Sequence, residues 1–207
     1  MVPVSTPPTS ELVVTSESEM SSFSQKETER IRRQLGDWYQ RHRRDLPWRD
    51  IDDPYKTWVA EIMLQQTQVS TVVDYYHEWL ARFPDVDSVA EPEEDDVLDA
   101  WEGLGYYRRA RFIHRSARKL VDEYGGALPD TADELEELPG IGPYTAGAIA
   151  SIAFDRPEPV VDGNVSRVLS RLRAIPGDPK STSNKNTYWK LAEQLVDPDA
   201  PGDFNQA

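Results

Sequence analysis

Apolar residues recur at helical spacing along most of the chain, and the segments that carry them stop at proline or glycine. In the segment 24–44, Ile31, Leu35, Trp38 and Tyr39 lie at positions i, i+4, i+7 and i+8, which is typical of one helix face. No segment alternates like a strand and none repeats, so the pattern predicts an all-α chain. Further helices are predicted after the N-cap pair Asp53 and Pro54 and over residues 71–83, 91–101, 108–124, 131–137, 165–174 and 185–196.

Two helical patterns meet at a glycine turn. The acidic helix predicted at 131–137 ends just before Gly140 and Gly142, and Pro143 then stands where a proline opens a helix. We interpret the segment 131–151 as a helix-hairpin-helix. Both glycines can adopt positive φ and lack a Cβ, so the turn amides can approach a phosphate oxygen directly. A hairpin that only packs two helices together is the alternative.

An aspartate stands where the next helix pattern begins. Pro157 and Pro159 predict an extended connection that leads to Asp162. Asp162 can be a plain N-cap that accepts hydrogen bonds from the amides of Asn164 or Val165. It can also be a functional carboxylate, and the residue alone leaves both interpretations open.

The helix that follows Asp53 carries a glutamate among apolar residues. Trp58, Glu61 and Leu64 or Gln65 share one face of this helix. Apolar neighbours exclude solvent from a carboxyl group, which raises its pKa and keeps it protonated, as a general acid requires. A solvated surface glutamate is the alternative. The adjacent amides of Gln65 and Gln66 can fill the space of an unpaired base, or they can be ordinary surface residues.

The charge balance bears on the kind of partner. The net charge of −14 opposes simple electrostatic binding to phosphates, which requires lysine and arginine. Arginines are nevertheless concentrated in the segments 30–44, 108–118 and 167–173, whereas acidic residues are concentrated in 85–102 and 130–137. We therefore expect a basic face separate from an acidic, salt-adapted face, since high salt screens self-repulsion.

The composition limits which covalent links, metal sites and cellular locations we expect for the protein. The 207 residues include no cysteine, which excludes disulfides and thiolate-held metals on these residues. No apolar run approaches the ~18 residues that a membrane span needs, and the first residues do not resemble a signal peptide. Residues 1–22 are rich in Pro, Ser, Thr and Glu, which predicts a disordered tail. We expect a cytoplasmic, nucleoid-associated protein of a salt-adapted prokaryote, without a membrane partner.

Six segments, in order along the chain, resemble one enzyme family. They are LPWR at 46–49, EIMLQQTQ at 61–68, WEGLGYYRRAR at 101–111, LPGIGPYTAG at 138–147, VDGNV at 161–165 and FNQA at 204–207. Together they resemble the A/G-specific adenine DNA glycosylases (MutY) of the helix-hairpin-helix glycosylase superfamily. The resemblance implies that residues 23–207 form a catalytic domain of two helical lobes, with the active site in the cleft between them.

The resemblance implies a reaction and a role for each matching residue. The reaction is hydrolysis of the N-glycosidic bond of adenine mispaired with 8-oxoguanine or guanine in double-stranded DNA, by a monomer. At the matching positions Glu61 protonates adenine at N7 and helps to place the water, and Asp162 stabilises the oxocarbenium-like sugar. Tyr144 and Asn164 support the two carboxyl groups. Gln66 and Tyr106 insert into the base stack. The other implied DNA contacts are Gln65, Gly140, Gly142 and Arg49, and the implied base pocket consists of Leu46, Trp48 and Leu64.

Two departures from related families matter. Bifunctional relatives resembling endonuclease III have a lysine nucleophile at the position of Tyr144, and a phenol forms no imine. We therefore expect a monofunctional glycosylase that leaves an abasic site. In the intact family, a helix and four cysteines that hold a [4Fe-4S] cluster follow the FNQA segment, and a domain that recognises 8-oxoguanine comes after them. This chain ends first, so we expect a C-terminally truncated fold without the cluster.

Other functions remain open from the sequence. A relative in the same superfamily can act on thymine or uracil opposite guanine, or on oxidised pyrimidines. A non-catalytic DNA-binding remnant could use the hairpin only as a phosphate clamp. The presence of Glu61 and Asp162 favours an enzyme over this remnant, whereas the missing C-terminal segments favour the remnant.

Overall fold

A computed structural model describes residues 22–207, so the predicted tail lies outside the described residues except for Ser22. Within that range the protein consists of helices joined by turns and loops, as the pattern predicted. The helices are α1 (Gln25–His42), α2 (Pro54–Leu64), α3 (Val69–Arg82), α4 (Val86–Ala90), α5 (Glu94–Ala100), α6 (Arg108–Tyr124), α7 (Ala132–Glu136), α8 (Pro143–Phe154), α9 (Gly163–Arg173), α10 (Thr182–Leu195) and α11 (Pro201–Gln206).

Helices α2 to α8 form the larger of two lobes. Helix α2 packs between α3 and α8, and α6 packs against α4 and α5. The indole rings of Trp58, Trp79 and Trp101 lie at the centre of this core and are almost inaccessible to solvent. Because α2 is surrounded by its neighbours, its side chains occupy fixed positions in the lobe.

Helices α1, α9 and α10 form a smaller second lobe. Its core contains Leu169, Tyr188 and Leu191. Helix α11 packs against both α1 and α8 and so joins the second lobe to the first. Asn205 strengthens this junction because its side-chain amide donates to the hydroxyl of Ser151 and to a backbone carbonyl oxygen, each at 2.8 Å.

The helix boundaries differ from the predicted ones where short-range caps decide them. Helices α4 and α11 were not predicted. Helix α4 forms because the Asp85 and Ser88 side chains cap each other's backbone amides, and α11 begins at Pro201, a residue suited to the first turn of a helix. Helix α5 begins at Glu94 rather than at residue 91. Helix α10 begins earlier than predicted because the Ser181 hydroxyl accepts a hydrogen bond from the amide of Asn184.

The expectation of separate acidic and basic faces is wrong for helix α6. Arg111 and Arg115 both approach the carboxylate of Glu94, at 3.1 and 3.9 Å. Arg109 is buried with an exposed fraction of 6%. These three arginines of α6 therefore contact an acidic neighbour or the interior. Within residues 22–207, no helix combines the length and the apolarity that a membrane span requires.

Candidate active site

A cleft of about 580 Å³ lies between the two lobes. The predicted catalytic and base-pocket residues all line it, although they come from distant parts of the chain. Helices α2 and α8 place Glu61 and Tyr144 on one wall, and the start of α9 places Asp162 and Asn164 on the other. The remaining predicted residues that line the cleft are Leu46, Trp48, Arg49 and Leu64.

Glu61 is desolvated, and within residues 22–207 it has no charged partner. Burial raises the pKa of its carboxyl group to about 7, and no hydrogen bond or ion pair among residues 22–207 opposes that shift. The prediction of a raised pKa is confirmed. Trp58 lies in the hydrophobic core, whereas Thr57, Ala60 and Leu64 line the cleft with Glu61.

Asp162 is held by hydrogen bonds in a fixed orientation. One carboxylate oxygen accepts from the amides of Asn164 and Val165, both at 2.8 Å, and the other accepts from the Asn164 side-chain amide at 3.1 Å. The predicted N-cap is thus confirmed, and the same carboxylate also lines the cleft. Three N–H donors and the positive end of helix α9 suit a group that carries negative charge.

Tyr144 lies close to both acids. The side chain is 38% exposed. Partial burial of its hydroxyl, and then the negative charges of Glu61 and Asp162, raise the pKa of the Tyr144 hydroxyl well above its ordinary value. The phenol therefore stays protonated at neutral pH and can donate a hydrogen bond to either carboxylate. Opposite the tyrosine, Asn164 contributes to the Asp162 cap.

Sequence reasoning missed several residues of the cleft. The side chain of Thr57 lines it, and its hydroxyl is buried without a hydrogen-bond partner in the described part of the chain. Its spacing of i−4 from Glu61 on the same helix could have revealed it. Phe204 and Asn205 also line the cleft, and no local pattern indicates that the last helix returns to this site.

The hairpin turn has one strained glycine rather than two. Gly140 adopts φ of 82°, and a Cβ there would overlap the ring of Phe112, so only glycine fits. Gly142 adopts φ of −111°, so the expectation of positive φ at this residue is wrong. As the N-cap of α8 it is extended, a conformation open to any residue. A Cβ on Gly142 would meet nothing within 4 Å, so the turn has space for a side chain at this position.

The predicted residues Gln65, Gln66 and Tyr106 do not line the cleft. Gln65 is half-buried and its amide donates to the Thr145 hydroxyl at 3.3 Å. Gln66 and Tyr106 are exposed, and both have positive φ, 57° and 50°. Such backbone strain in non-glycine residues is uncommon and concentrates at functional sites.

The residues present do not fit an iron–sulfur cluster. The sequence contains no cysteine, so these residues supply none of the thiolates that hold such a cluster. Among the described residues there is also no group of three or more histidine, aspartate or glutamate side chains arranged to hold a metal ion. The polar groups that the described residues present in the cleft include carboxyl, phenol and amide groups.

Sequence comparisons identify relatives of this chain. Residues 59–194 match the HhH-GPD superfamily of base excision DNA repair proteins. An adenine DNA glycosylase of Mus musculus is 52% identical over 186 residues, which cover 86% of this chain and 36% of the relative. An adenine DNA glycosylase of Arabidopsis thaliana is 46% identical over 211 residues, which cover 89% of this chain and 33% of the relative. The chain thus spans about a third of the length of these curated relatives.

Solved structures share the fold. A thermostable thymine-DNA glycosylase superposes with a TM-score of 0.78 at 28% identity, covering 87% of this chain and 83% of its own. A trapped endonuclease III–DNA covalent intermediate superposes with a TM-score of 0.70 at 21% identity, covering 88% of this chain and 85% of its own. The two-lobed helical architecture is therefore that of known glycosylases.

Proposed function

Because the chain belongs to the HhH-GPD superfamily of base excision DNA repair proteins, we propose that it is the catalytic part of an adenine DNA glycosylase. Its substrate is double-stranded DNA in which adenine is mispaired with 8-oxoguanine or guanine. The reaction is hydrolysis of the N-glycosidic bond. The identity to curated adenine DNA glycosylases, such as 52% to that of Homo sapiens, supports this choice of base.

One observation carries the proposal. Glu61 and Asp162 face the same cleft from opposite walls, one in a desolvated site and the other accepting three hydrogen bonds. Glycoside hydrolysis uses a pair of carboxyl groups in this way, one as an acid and one as an anion. The cleft volume of about 580 Å³ is within the range of pockets that bind small ligands, and a purine nucleoside is a ligand of that size.

The two carboxyl groups divide the chemistry. Glu61, whose pKa of about 7 keeps about half of the molecules protonated at neutral pH, donates its proton to N7 of the adenine. This turns the base into a neutral leaving group. As the bond to the sugar breaks, positive charge develops on the sugar ring. The Asp162 carboxylate, fixed by its N–H donors, stabilises that charge without reorganising. The ionised Glu61 can then accept a proton from the attacking water.

Tyr144 limits the reaction to base release. Its protonated hydroxyl lies near both carboxyl groups, where it can donate a hydrogen bond but cannot form an imine with the sugar. The protein therefore leaves an abasic site and does not cut the strand through a covalent enzyme–DNA intermediate.

The adenine must leave the base stack before it can enter the cleft. Flipping a base costs a few kcal/mol, which phosphate contacts and inserted side chains offset. The hairpin offers the backbone amides at the start of α8, which have no partner within the helix, and Gln66 and Tyr106 offer exposed side chains outside the cleft. Since one chain supplies both cleft walls, we further propose that it acts as a monomer, on chromosomal DNA in the cytoplasm.

A second candidate is a glycosylase for thymine opposite guanine. It is favoured by the superposition on a thymine-DNA glycosylase, with a TM-score of 0.78. Both candidates use the same cleft, so base specificity must separate them.

Base release from a panel of duplexes tests the proposal. The panel holds A opposite 8-oxoguanine, A opposite G, T opposite G, U opposite G, and an oxidised pyrimidine opposite G. We expect release of adenine from the first two and of no other base. Release of thymine or uracil alone would establish the second candidate. Intact duplex binding with equal, background rates for the chain and for Glu61→Gln would instead identify a DNA-binding remnant.

A further inference from the structure

Two loops that are far apart in the sequence each present an exposed side chain on a strained backbone. Gln66 follows the end of α2 with φ of 57°, and Tyr106 precedes α6 with φ of 50°. The Tyr106 side chain is 61% exposed. Left-handed backbone at a non-glycine residue persists only where the surroundings impose it. Some contact must therefore hold each loop in place.

The buried side chain of Arg109 contacts both loops. Its Nη1 lies 2.8 Å from the carbonyl oxygen of Met63 and 2.5 Å from that of Gln65. Its Nη2 lies 3.3 Å from the carbonyl oxygen of Leu104 and 3.2 Å from that of Gly105. Gln65 and Gly105 are the residues immediately before Gln66 and Tyr106. One guanidinium fork thus binds the peptide carbonyl that precedes each strained residue.

Aromatic rings fix the fork in place. The guanidinium carbon of Arg109 lies 5.3 Å from the ring centroids of both Trp101 and Tyr106. The Trp101 indole also donates to the Gly105 carbonyl oxygen at 2.9 Å. The planar, five-donor guanidinium is suited to bridging several carbonyl groups at once, whereas the point charge of lysine is not.

We propose that Arg109 is a positioning residue that holds Gln66 and Tyr106 at a fixed separation, so that the two side chains act on DNA as one two-pronged element. This inference rests on the proposed function for its DNA step, but its structural step can be measured without DNA. If Arg109 only capped the end of helix α2, it would need to bind only the carbonyl groups at that helix end. Its contacts with the carbonyl oxygens of Leu104 and Gly105 would then have no purpose.

Amide hydrogen exchange of the free protein tests the structural step. Replacing the guanidinium in Arg109→Met should speed exchange in both segments, 64–68 and 103–107, by about tenfold or more, because both lose their shared partner. Arg118→Met is the matched control, since Arg118 also leaves α6 to bind backbone carbonyl groups, those of Ala90 and Pro92. This control should change neither segment.

A lysine variant separates geometry from charge and guards against unfolding. Arg109→Lys keeps the positive charge and the aliphatic stem, and we expect it to speed exchange in both segments by a smaller factor than Arg109→Met. Exchange at the wild-type rate in Arg109→Lys, or faster exchange in only one segment in either variant, would overturn the proposal.

A mutant cycle tests the DNA step. In the unaltered chain, Gln66→Ala and Tyr106→Ala should each slow single-turnover adenine release by about tenfold or more, because each removes a contact that positions the substrate. In the Arg109→Lys background the same two changes should cost less, because the prongs are already displaced. If each alanine change slowed release by the same factor in the Arg109→Lys background as in the unaltered chain, Arg109 would not act through Gln66 and Tyr106, and the proposal would be contradicted. If the unaltered chain releases adenine from no duplex, the proposed function fails. The hydrogen-exchange result still decides whether Arg109 positions both loops.

Discussion

The two walls of the cleft hold the same chemical group in opposite surroundings. On the first-lobe wall, Glu61 lies in a desolvated site with a pKa of about 7. On the second-lobe wall, Asp162 accepts three hydrogen bonds, two of them from the first turn of α9. The comparison teaches that environment rather than residue type assigns the acid and the anion.

The two walls also differ in their relation to stability. Burying Glu61 opposes folding wherever the side chain would be ionised in water. Capping α9 with Asp162 supports folding, because the carboxylate satisfies amides that have no partner in the helix. Glu61 on the first wall therefore lowers stability when it is ionised but provides the catalytic acid, whereas Asp162 on the second wall contributes both to stability and to catalysis.

The largest expected effect is loss of the acid on the first wall. Glu61→Gln should lower adenine release by about 10³-fold, within the range that a general acid contributes, and leave the fold intact. Single-turnover release from an A opposite 8-oxoguanine duplex measures this. Glu78→Gln, on an exposed position of α3, is the matched control and should leave the rate unchanged. A comparable loss in both variants would remove the distinction between the walls.

The next effect concerns the anion on the second wall. Asp162→Asn should lower adenine release by about 10²-fold, since an amide cannot stabilise a cationic sugar. It should reduce stability by less than about 1 kcal/mol, because asparagine is also a good N-cap. Asp53→Asn changes the N-cap of α2 outside the cleft lining, and should reproduce the small stability change with no loss of rate. Unfolding of Asp162→Asn would show that capping is the whole role.

The third effect is a gain in the stability of Glu61→Gln over the unaltered chain, and this gain should depend on pH. The folded-state pKa of Glu61 is raised from 4.5 to about 7, so the folded protein binds more protons than the unfolded chain between these values. Its stability therefore falls as pH rises through that window. Glu61→Gln lacks this loss and should be more stable than the unaltered chain by about 1–3 kcal/mol above pH 7. Urea unfolding at pH 4.5 and pH 8 measures the difference, which should nearly vanish at the lower pH.

The smallest effect is on the rate profile. Since Glu61 must be protonated to act, single-turnover release should fall above a midpoint near the Glu61 pKa of about 7, by about tenfold at one pH unit above it. Measuring the rate from pH 5.5 to 9 at constant ionic strength would locate the midpoint. A flat alkaline limb would mean that the first wall does not supply the proton, and the contrast between the walls would then need another explanation.

Much of the fold was predictable because caps and spacing are local. Asp53, Pro143 and Asp162 each begin a helix where the sequence predicts one. The raised pKa of Glu61 was also predicted, but helical spacing did not show that Trp58 belongs to the core rather than to the cleft lining. Arg109 was grouped with surface arginines, since nothing near it in sequence indicates that it binds carbonyl groups on another loop.

By itself the sequence determined most of the helices and their caps, the glycine turn and the presence of two carboxyl groups of catalytic type. These depend on interactions among residues a few positions apart. Only the tertiary structure decided that Glu61 and Asp162 share one cleft, that Glu61 is desolvated there, and that Arg109 joins two loops. Those properties depend on the packing of distant segments, because solvent exclusion and hydrogen bonds between loops exist only after the lobes have come together.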